Sequence, residues 1–174
     1  AYTAVFPTLE KVSIWTRRPE QARELMEEWP SSGPYRVDAV SDLAEAAGQA
    51  DIISSATMAR EPVLRGAWIR SGTHIDLIGA YKADMREADD DLIASAALYV
   101  DSRETTIHHI GELMMPIASG AITEASVLGD LYDLAADGVA ARRSPDEITV
   151  FKNGGGAHLD LMTARYLSEL ASQV

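Results

Sequence analysis

The 174-residue sequence contains no cysteine, which excludes disulfides and thiolate chemistry and fits the reducing cytoplasm expected for it. Positive charge is scarce: 15 Lys and Arg stand against 27 Asp and Glu, for a formal net charge of -12. That acidity repels nucleic-acid phosphates at long range and argues against such a partner. No apolar run approaches the roughly 20 residues of a membrane-spanning helix, so no membrane partner is expected. The first residues do not read as a basic-then-apolar signal segment. Metal-ligand spacing is missing too. His108 and His109 are adjacent and would diverge by about 100° on a helix, so they cannot chelate one ion. His74 and His158 lie beside apolar segments and read as hydrogen-bonded packing residues. No metal is expected, and no G-x-S-x-G nucleophile motif occurs.

Strand-like and helix-like patterns alternate along the chain. Lys11–Trp15, Tyr35–Val40, Asp51–Ala56, Thr73–Ile78, a strand beginning at Leu98–Val100 and Glu147–Phe151 read as strands. Between them, Pro19 suits a first helical residue, with Ala22, Leu25, Met26 and Trp29 at helical spacing and a break at Pro30–Pro34. Asp42 is placed to cap a short helix over Leu43–Ala47 that Gly48 ends. Arg86–Ala97 also reads as helix, with Asp89–Asp91 as an exposed run matched to its dipole. Ile107–Leu134 reads as helical patches broken by Gly111, Pro116, Gly120 and Gly129. After a glycine joint, Ala157 onward reads as an amphipathic helix with Leu159, Met162, Tyr166 and Leu170 on one face. The alternation predicts an α/β fold with a parallel, doubly wound sheet. Ala1–Pro7 reads as the tail of a helix. A dinucleotide-binding sheet has a first strand and a G-x-G-x-x-G turn before that helix, and no such turn precedes Lys11. The expectation is a chain that starts just after its phosphate-binding loop.

Four segments carry candidate chemistry. Thr73–Glu87 is an apolar strand ending at Gly79 and Ala80, followed by Tyr81, Lys82, Asp84 and Arg86. Small residues at a strand's carboxyl end let a flat ligand approach the backbone, which places those polar groups near a bound molecule. Thr16, Arg17 and Arg18 follow the first strand, where an acidic residue would bind the ribose of NAD and arginine accommodates the extra phosphate of NADP. A solvated basic turn opening a helix explains them equally. Ser54, Ser55, Ala56 and Thr57 suit a backbone passing under a cofactor with hydroxyls free to bond it, or merely a strand end with local turn chemistry. Asn153 and Gly154–Gly156 offer backbone N–H groups at a helix start, or a hinge.

The ordered series Trp15-Thr-Arg, Ala50-Asp-Ile-Ile-Ser-Ser-Ala-Thr57, Glu61-Pro-Val-Leu, Gly72-Thr-His-Ile, Met85-Arg-Glu, Val100-Asp-Ser-Arg103 and Phe151-Lys-Asn-Gly-Gly-Gly-Ala-His-Leu-Asp160 resembles the ornithine cyclodeaminase/mu-crystallin family. That resemblance implies a homodimer with a Rossmann-type NAD(P) domain and a separate substrate and dimerisation domain. It also implies that this chain lacks the N-terminal half, the first Rossmann strand and the glycine loop, and is inactive alone. Residues 1–150 would be the partial NAD(P) domain, and 151–174 the strand end, hinge and helix returning to the absent domain. Cyclodeaminases of the family place a catalytic Asp where this sequence has Tyr81. A tyrosine, with a reference pKa of about 10, is not an ionised carboxylate at neutral pH.

The resemblance is therefore to the branch that reduces cyclic ketimines, Δ1-pyrroline-2-carboxylate to proline and Δ1-piperideine-2-carboxylate to pipecolate. It implies that Tyr81 shapes the pocket or relays a proton. Ser55, Ala56, Thr57, Ile78, Gly79 and Ala80 would cradle the nicotinamide side, and Asn153, beside Gly154, would bond near its carboxamide or ribose. Thr16, Arg17 and Arg18 would favour NADPH, with NAD possible. An ornithine cyclodeaminase or related amino-acid dehydrogenase, and a mu-crystallin-like binding protein without turnover, are the alternatives.

Overall fold

The computed structural model describes residues 5–29, 35–136 and 138–172, with backbone alone at 157–159. The chain forms two compact units, Ala1–Gln49 and Ala50–Val174.

In the first unit, β1 (Lys11–Ile14) is followed by α1 (Pro19–Glu28), β2 (Arg36–Ala39) and α2 (Leu43–Gln49). The strands pair in parallel, Lys11 against Arg36 through Ile14 against Ala39. Parallel neighbours need a crossover, and α1 supplies it while packing on both strands. Pro19 sits at the start of α1, where its missing N–H costs no intrahelical bond and its fixed φ is already helical. Ala22 is the buried residue of that helix. As expected, Asp42 accepts a hydrogen bond from the Glu45 N–H at 2.9 Å. Gly48, expected to end α2, lies inside it. The expected break at Pro30–Pro34 and most of the expected helix tail at Ala1–Pro7 lie outside the described residues.

The second unit holds β3 (Ile52–Ser55), β4 (His74–Leu77), α3 (Asp90–Ser95), β5 (Ala97–Val100), α4 (Arg103–Thr106), α5 (Gly111–Ser119), β6 (Val127–Gly129), α6 (Leu131–Ala135), β7 (Thr149–Lys152) and α7 (Ala157–Ala171). Its sheet has five parallel strands in the order β3-β4-β7-β5-β6. The α/β class with a parallel sheet is thus as expected. Strand β7, last in sequence, lies between β4 and β5, so the expected boundary at residue 150 falls inside a strand of the sheet's middle. Ile75, Leu77, Leu98, Val100 and Val150 are fully buried. Each such side chain contributes about 1.5–3 kcal/mol of transfer free energy, which makes these strands the core. By contrast β3, expected to be buried, lies at the sheet edge with Ser54 exposed.

Three local expectations need correction. The helix expected over Arg86–Ala97 is only Asp90–Ser95. The Glu87 and Ala88 N–H groups donate instead to the Glu112 carboxylate, at 2.7 and 2.8 Å, and Asp89 caps the helix through Leu92. The Asp89–Asp91 run does sit at a helix start, but Asp89 and Asp90 are half-buried and bonded, Asp90 to Arg86 and Ser119. Finally, Gly111 opens α5 and Pro116 lies within it, so neither interrupts a helix there. Proline at that position removes one intrahelical bond, which a nine-residue helix packed on the core tolerates.

Candidate functional site

Because all five strands of the second unit are parallel, their carboxyl ends share one edge, where open α/β sheets bind ligands. Ser55–Thr57 leaves β3 there, Ile78–Tyr81 leaves β4, Asn153 and Gly154 leave β7, and Asp101 leaves β5.

What organises this edge is a carboxylate the sequence reading passed over. Glu87 is completely buried. Its Oε1 accepts from the Ser55 hydroxyl (2.7 Å), the Thr57 N–H (2.6 Å) and the Thr57 hydroxyl (2.8 Å). Its Oε2 accepts from the N–H groups of Gly79 (2.7 Å) and Ala80 (3.3 Å). Of the hydroxyls expected to be free for a cofactor, those of Ser55 and Thr57 are therefore turned inward, since a buried carboxylate must be satisfied by donors, while Ser54 stays exposed. Gly79 also has a different reason to be glycine. A Cβ there would stand 2.0 Å from the Thr57 carbonyl oxygen and 2.2 Å from its nitrogen. Close passage of the β3 end, before any ligand, demands the missing side chain. Ala80 is fully buried in a cluster with Met85 and Ile110, backbone included, and its N–H is held by Glu87.

Behind Glu87 lies more buried charge. Glu112, in the first turn of α5, is fully buried and its carboxyl is pushed up to about 7, chiefly by burial, against the N–H groups of Ala88 and Glu87 and the charge of Lys152. Lys152, also fully buried, donates from Nζ to the Leu77 carbonyl at 2.9 Å. Burial lowers its pKa, partly opposed by Glu112, Glu87, Asp101 and Asp76. Asp101 ties the glycine joint down, accepting from the Gly154 N–H at 2.9 Å and the Thr106 hydroxyl at 2.7 Å. The Gly155 N–H donates to the Asn153 side chain at 2.8 Å. Two of the three glycine N–H groups expected to face a ligand are thus occupied internally. A Cβ on Gly154 would meet the Thr106 hydroxyl oxygen at 2.7 Å, so this glycine too answers to packing.

The outward layer of the edge is apolar and open. Ala56, Met58, Ile78 and Tyr81 are exposed. The Lys82 ammonium lies 5.3 Å from the centre of the Tyr81 ring. Arg86 does not face this layer: it bonds Asp90 at 2.7 Å and the Ala88 carbonyl at 2.9 Å. Asp84 pairs with Arg60 on the surface at 2.8 Å. His74 bonds the Thr149 hydroxyl at 2.8 Å and burial lowers its pKa, in keeping with a packing role. The side chain of His158 lies outside the described residues.

In the first unit, the Thr16 hydroxyl donates to the Arg18 carbonyl at 2.5 Å, shaping the turn into α1. Arg17 and Arg18 are exposed, and neither forms an ion pair among the described residues.

The profile of the ornithine cyclodeaminase/mu-crystallin family matches residues 1–174. The chain belongs to that family. It is 68% identical over 170 residues to a Delta(1)-pyrroline-2-carboxylate reductase of Paracoccus denitrificans, covering 98% of this chain and 54% of that protein. Among solved structures it resembles the Thermococcus litoralis Delta(1)-pyrroline-2-carboxylate reductase in complex with NADH and L-proline, with a TM-score of 0.88 and 34% identity over 95% of this chain and 52% of that one. It also resembles the iminosuccinate reductase of Paracoccus denitrificans in complex with NAD+, with a TM-score of 0.83 and 31% identity over 95% of this chain and 50% of that one. The chain spans about half the length of these family members.

Of the residues missed by sequence reasoning, Glu87, Glu112, Lys152 and Asp101, the last two did leave a signal. Asp101 and Lys152 follow the apolar runs Leu98–Val100 and Val150–Phe151 directly. A charge abutting a core strand is seldom buried without a partner.

Proposed function

We propose that this chain supplies the cofactor-binding part of an NAD(P)H-dependent oxidoreductase that reduces cyclic imino acids, Δ1-pyrroline-2-carboxylate to proline above all. The observation that carries this reading is 68% identity, across nearly the whole chain, to a protein with that named activity. Physical chemistry agrees. A cyclic imine is readily protonated, so its reduction requires a hydride at the carbon of C=N and a proton at the nitrogen, with no protein nucleophile. A bound dihydronicotinamide supplies the hydride.

The chain's own residues bind and orient. The β3 and β4 ends form a rigid floor, and exposed Ala56 and Ile78 present apolar surface to a flat ring. Tyr81 forms no hydrogen bond through its hydroxyl among the described residues, which suits it to shape the substrate side or relay a proton. Asn153 stands at the β7 end to meet the carboxamide or ribose. Arg17 and Arg18, exposed and without an ion pair among the described residues, are suited to the extra phosphate of NADPH. A homodimer is part of the same proposal.

The test is an assay of the whole protein with Δ1-pyrroline-2-carboxylate and either NADPH or NADH, following loss of reduced-nicotinamide absorbance and formation of proline. Ammonia release from ornithine without imine reduction would overturn the assignment in favour of a cyclodeaminase. Firm NADPH binding without turnover of any imine would leave a binding protein instead.

A further inference from the structure

We infer that Glu87 is a positioning residue for cofactor binding: its carboxylate clamps the ends of β3 and β4 and so fixes the floor that Ala56 and Ile78 present. The inference rests on the proposed dinucleotide-binding role and adds a residue that never touches the ligand. Among the described residues its donors come from two segments, residues 55–57 and 79–80. These segments bracket the exposed floor residues. Ala56 lies between Ser55 and Thr57, both held by Oε1, and Ile78 immediately precedes Gly79, held by Oε2.

The clamp is itself held. The Glu87 N–H donates to Glu112 at 2.7 Å, and its carbonyl accepts from the N–H groups of Val63 and Leu64 at 2.8 and 2.9 Å. With backbone and side chain both fixed, Glu87 transmits the geometry of the core to the ligand edge. An apolar side chain could fill the same space at lower desolvation cost, but it could not aim three N–H groups and two hydroxyls. Crowding makes aim matter, because the Gly79 backbone runs against that of Ala56 and Thr57 with no space for a Cβ. A small rotation of either segment would displace the floor.

The experiment compares Glu87→Gln with wild type in the whole protein, measuring NADH and NADPH affinity by fluorescence, KM and kcat with the cyclic imine, and thermal stability. Glutamine keeps the shape but sets an NH2 against donors on one side. Ser55→Ala removes a single buried donor and serves as the milder variant should Glu87→Gln fail to fold. Arg142→Ala is the control. That residue ties the Gly72, Pro145 and Glu147 carbonyls together near the amino ends of β4 and β7, away from the floor.

The expected result is a rise of about tenfold in dinucleotide Kd and KM for Glu87→Gln and about threefold for Ser55→Ala, with kcat changed less than KM. Arg142→Ala should lower the melting temperature with unchanged dinucleotide affinity. Unchanged affinity in Glu87→Gln, or in Ser55→Ala where only that variant folds, overturns the inference. So does an equal loss of affinity in Arg142→Ala, which would mark a general effect of destabilisation. A wild type that binds dinucleotide but reduces no imine defeats the reaction assignment alone, because affinity still reads the clamp.

Discussion

The two units end their strands in opposite ways. After β1, Arg17 and Arg18 stand in solvent without an ion pair among the described residues, and only the Thr16 hydroxyl is tied back to the chain. After β3 and β4, a set of polar groups is spent internally: Ser55, Thr57, Gly79 and Ala80 all donate to Glu87. The contrast separates two ways of serving a ligand. Exposed guanidinium groups offer charge and cost little in stability. A satisfied buried network offers shape, and altering it disturbs the fold as well as the site.

That difference sets the order of expected effects. Gly79→Ala should be the most damaging, because its new methyl group lands on the Thr57 backbone. A loss on the order of 3 kcal/mol or more, or failure to fold, is expected in denaturant titration. A loss below about 1 kcal/mol would show that the β3 end moves aside easily and would weaken the contrast. Lys152→Met comes next. It removes one of two donors to the Leu77 carbonyl, which keeps the Asn153 N–H at 3.0 Å, and takes positive charge from beside Glu112 and Glu87. A cost of about 2–3 kcal/mol is expected from the shift in unfolding midpoint.

The third prediction concerns pH. The carboxyl of Glu112 rises on folding from 4.5 to about 7, so the folded state holds its proton more tightly than the unfolded one. Its contribution to stability is therefore complete below 4.5 and is lost as pH rises through about 7. Within that window each pH unit removes about 1.4 kcal/mol on account of this group. Glu112→Gln, a mimic of the protonated form, should flatten the fall of stability with pH when melting is followed across the window. An unchanged slope would place the titration elsewhere.

The smallest effect on stability belongs to the first unit. Arg17→Ala combined with Arg18→Ala should leave stability within about 0.5 kcal/mol, while weakening NADPH more than NADH by about tenfold in affinity. Equal weakening of both dinucleotides would remove the phosphate role.

Much of the architecture was legible because its signals are local. Pro19 marks the start of α1 through its ring, Asp42 caps through its own carboxylate, and the alternating Ile75–Leu77 and the apolar Leu98–Val100 are core strands. The misreadings share one cause. Arg86–Ala97 has helical composition, but Glu87 and Ala88 give their N–H groups to Glu112, about 25 residues away in sequence. Strand β6 is three residues long, and its Gly129 read as a helix breaker. Gly79 was singled out as a ligand approach; its crowding by Thr57 joins segments that no spacing rule connects.

By itself, the sequence determined the class of fold, the order of most strands and helices, and the family, because periodicity, turn residues and ordered motifs are properties of neighbouring positions. It also pointed to the strand ends as the candidate ligand edge. Only the tertiary structure decided which polar groups there remain available and which are consumed. Hydrogen bonding in a buried site is settled by what the fold brings within 3 Å, and Glu87 finds Ser55 and Thr57 about 30 residues back along the chain.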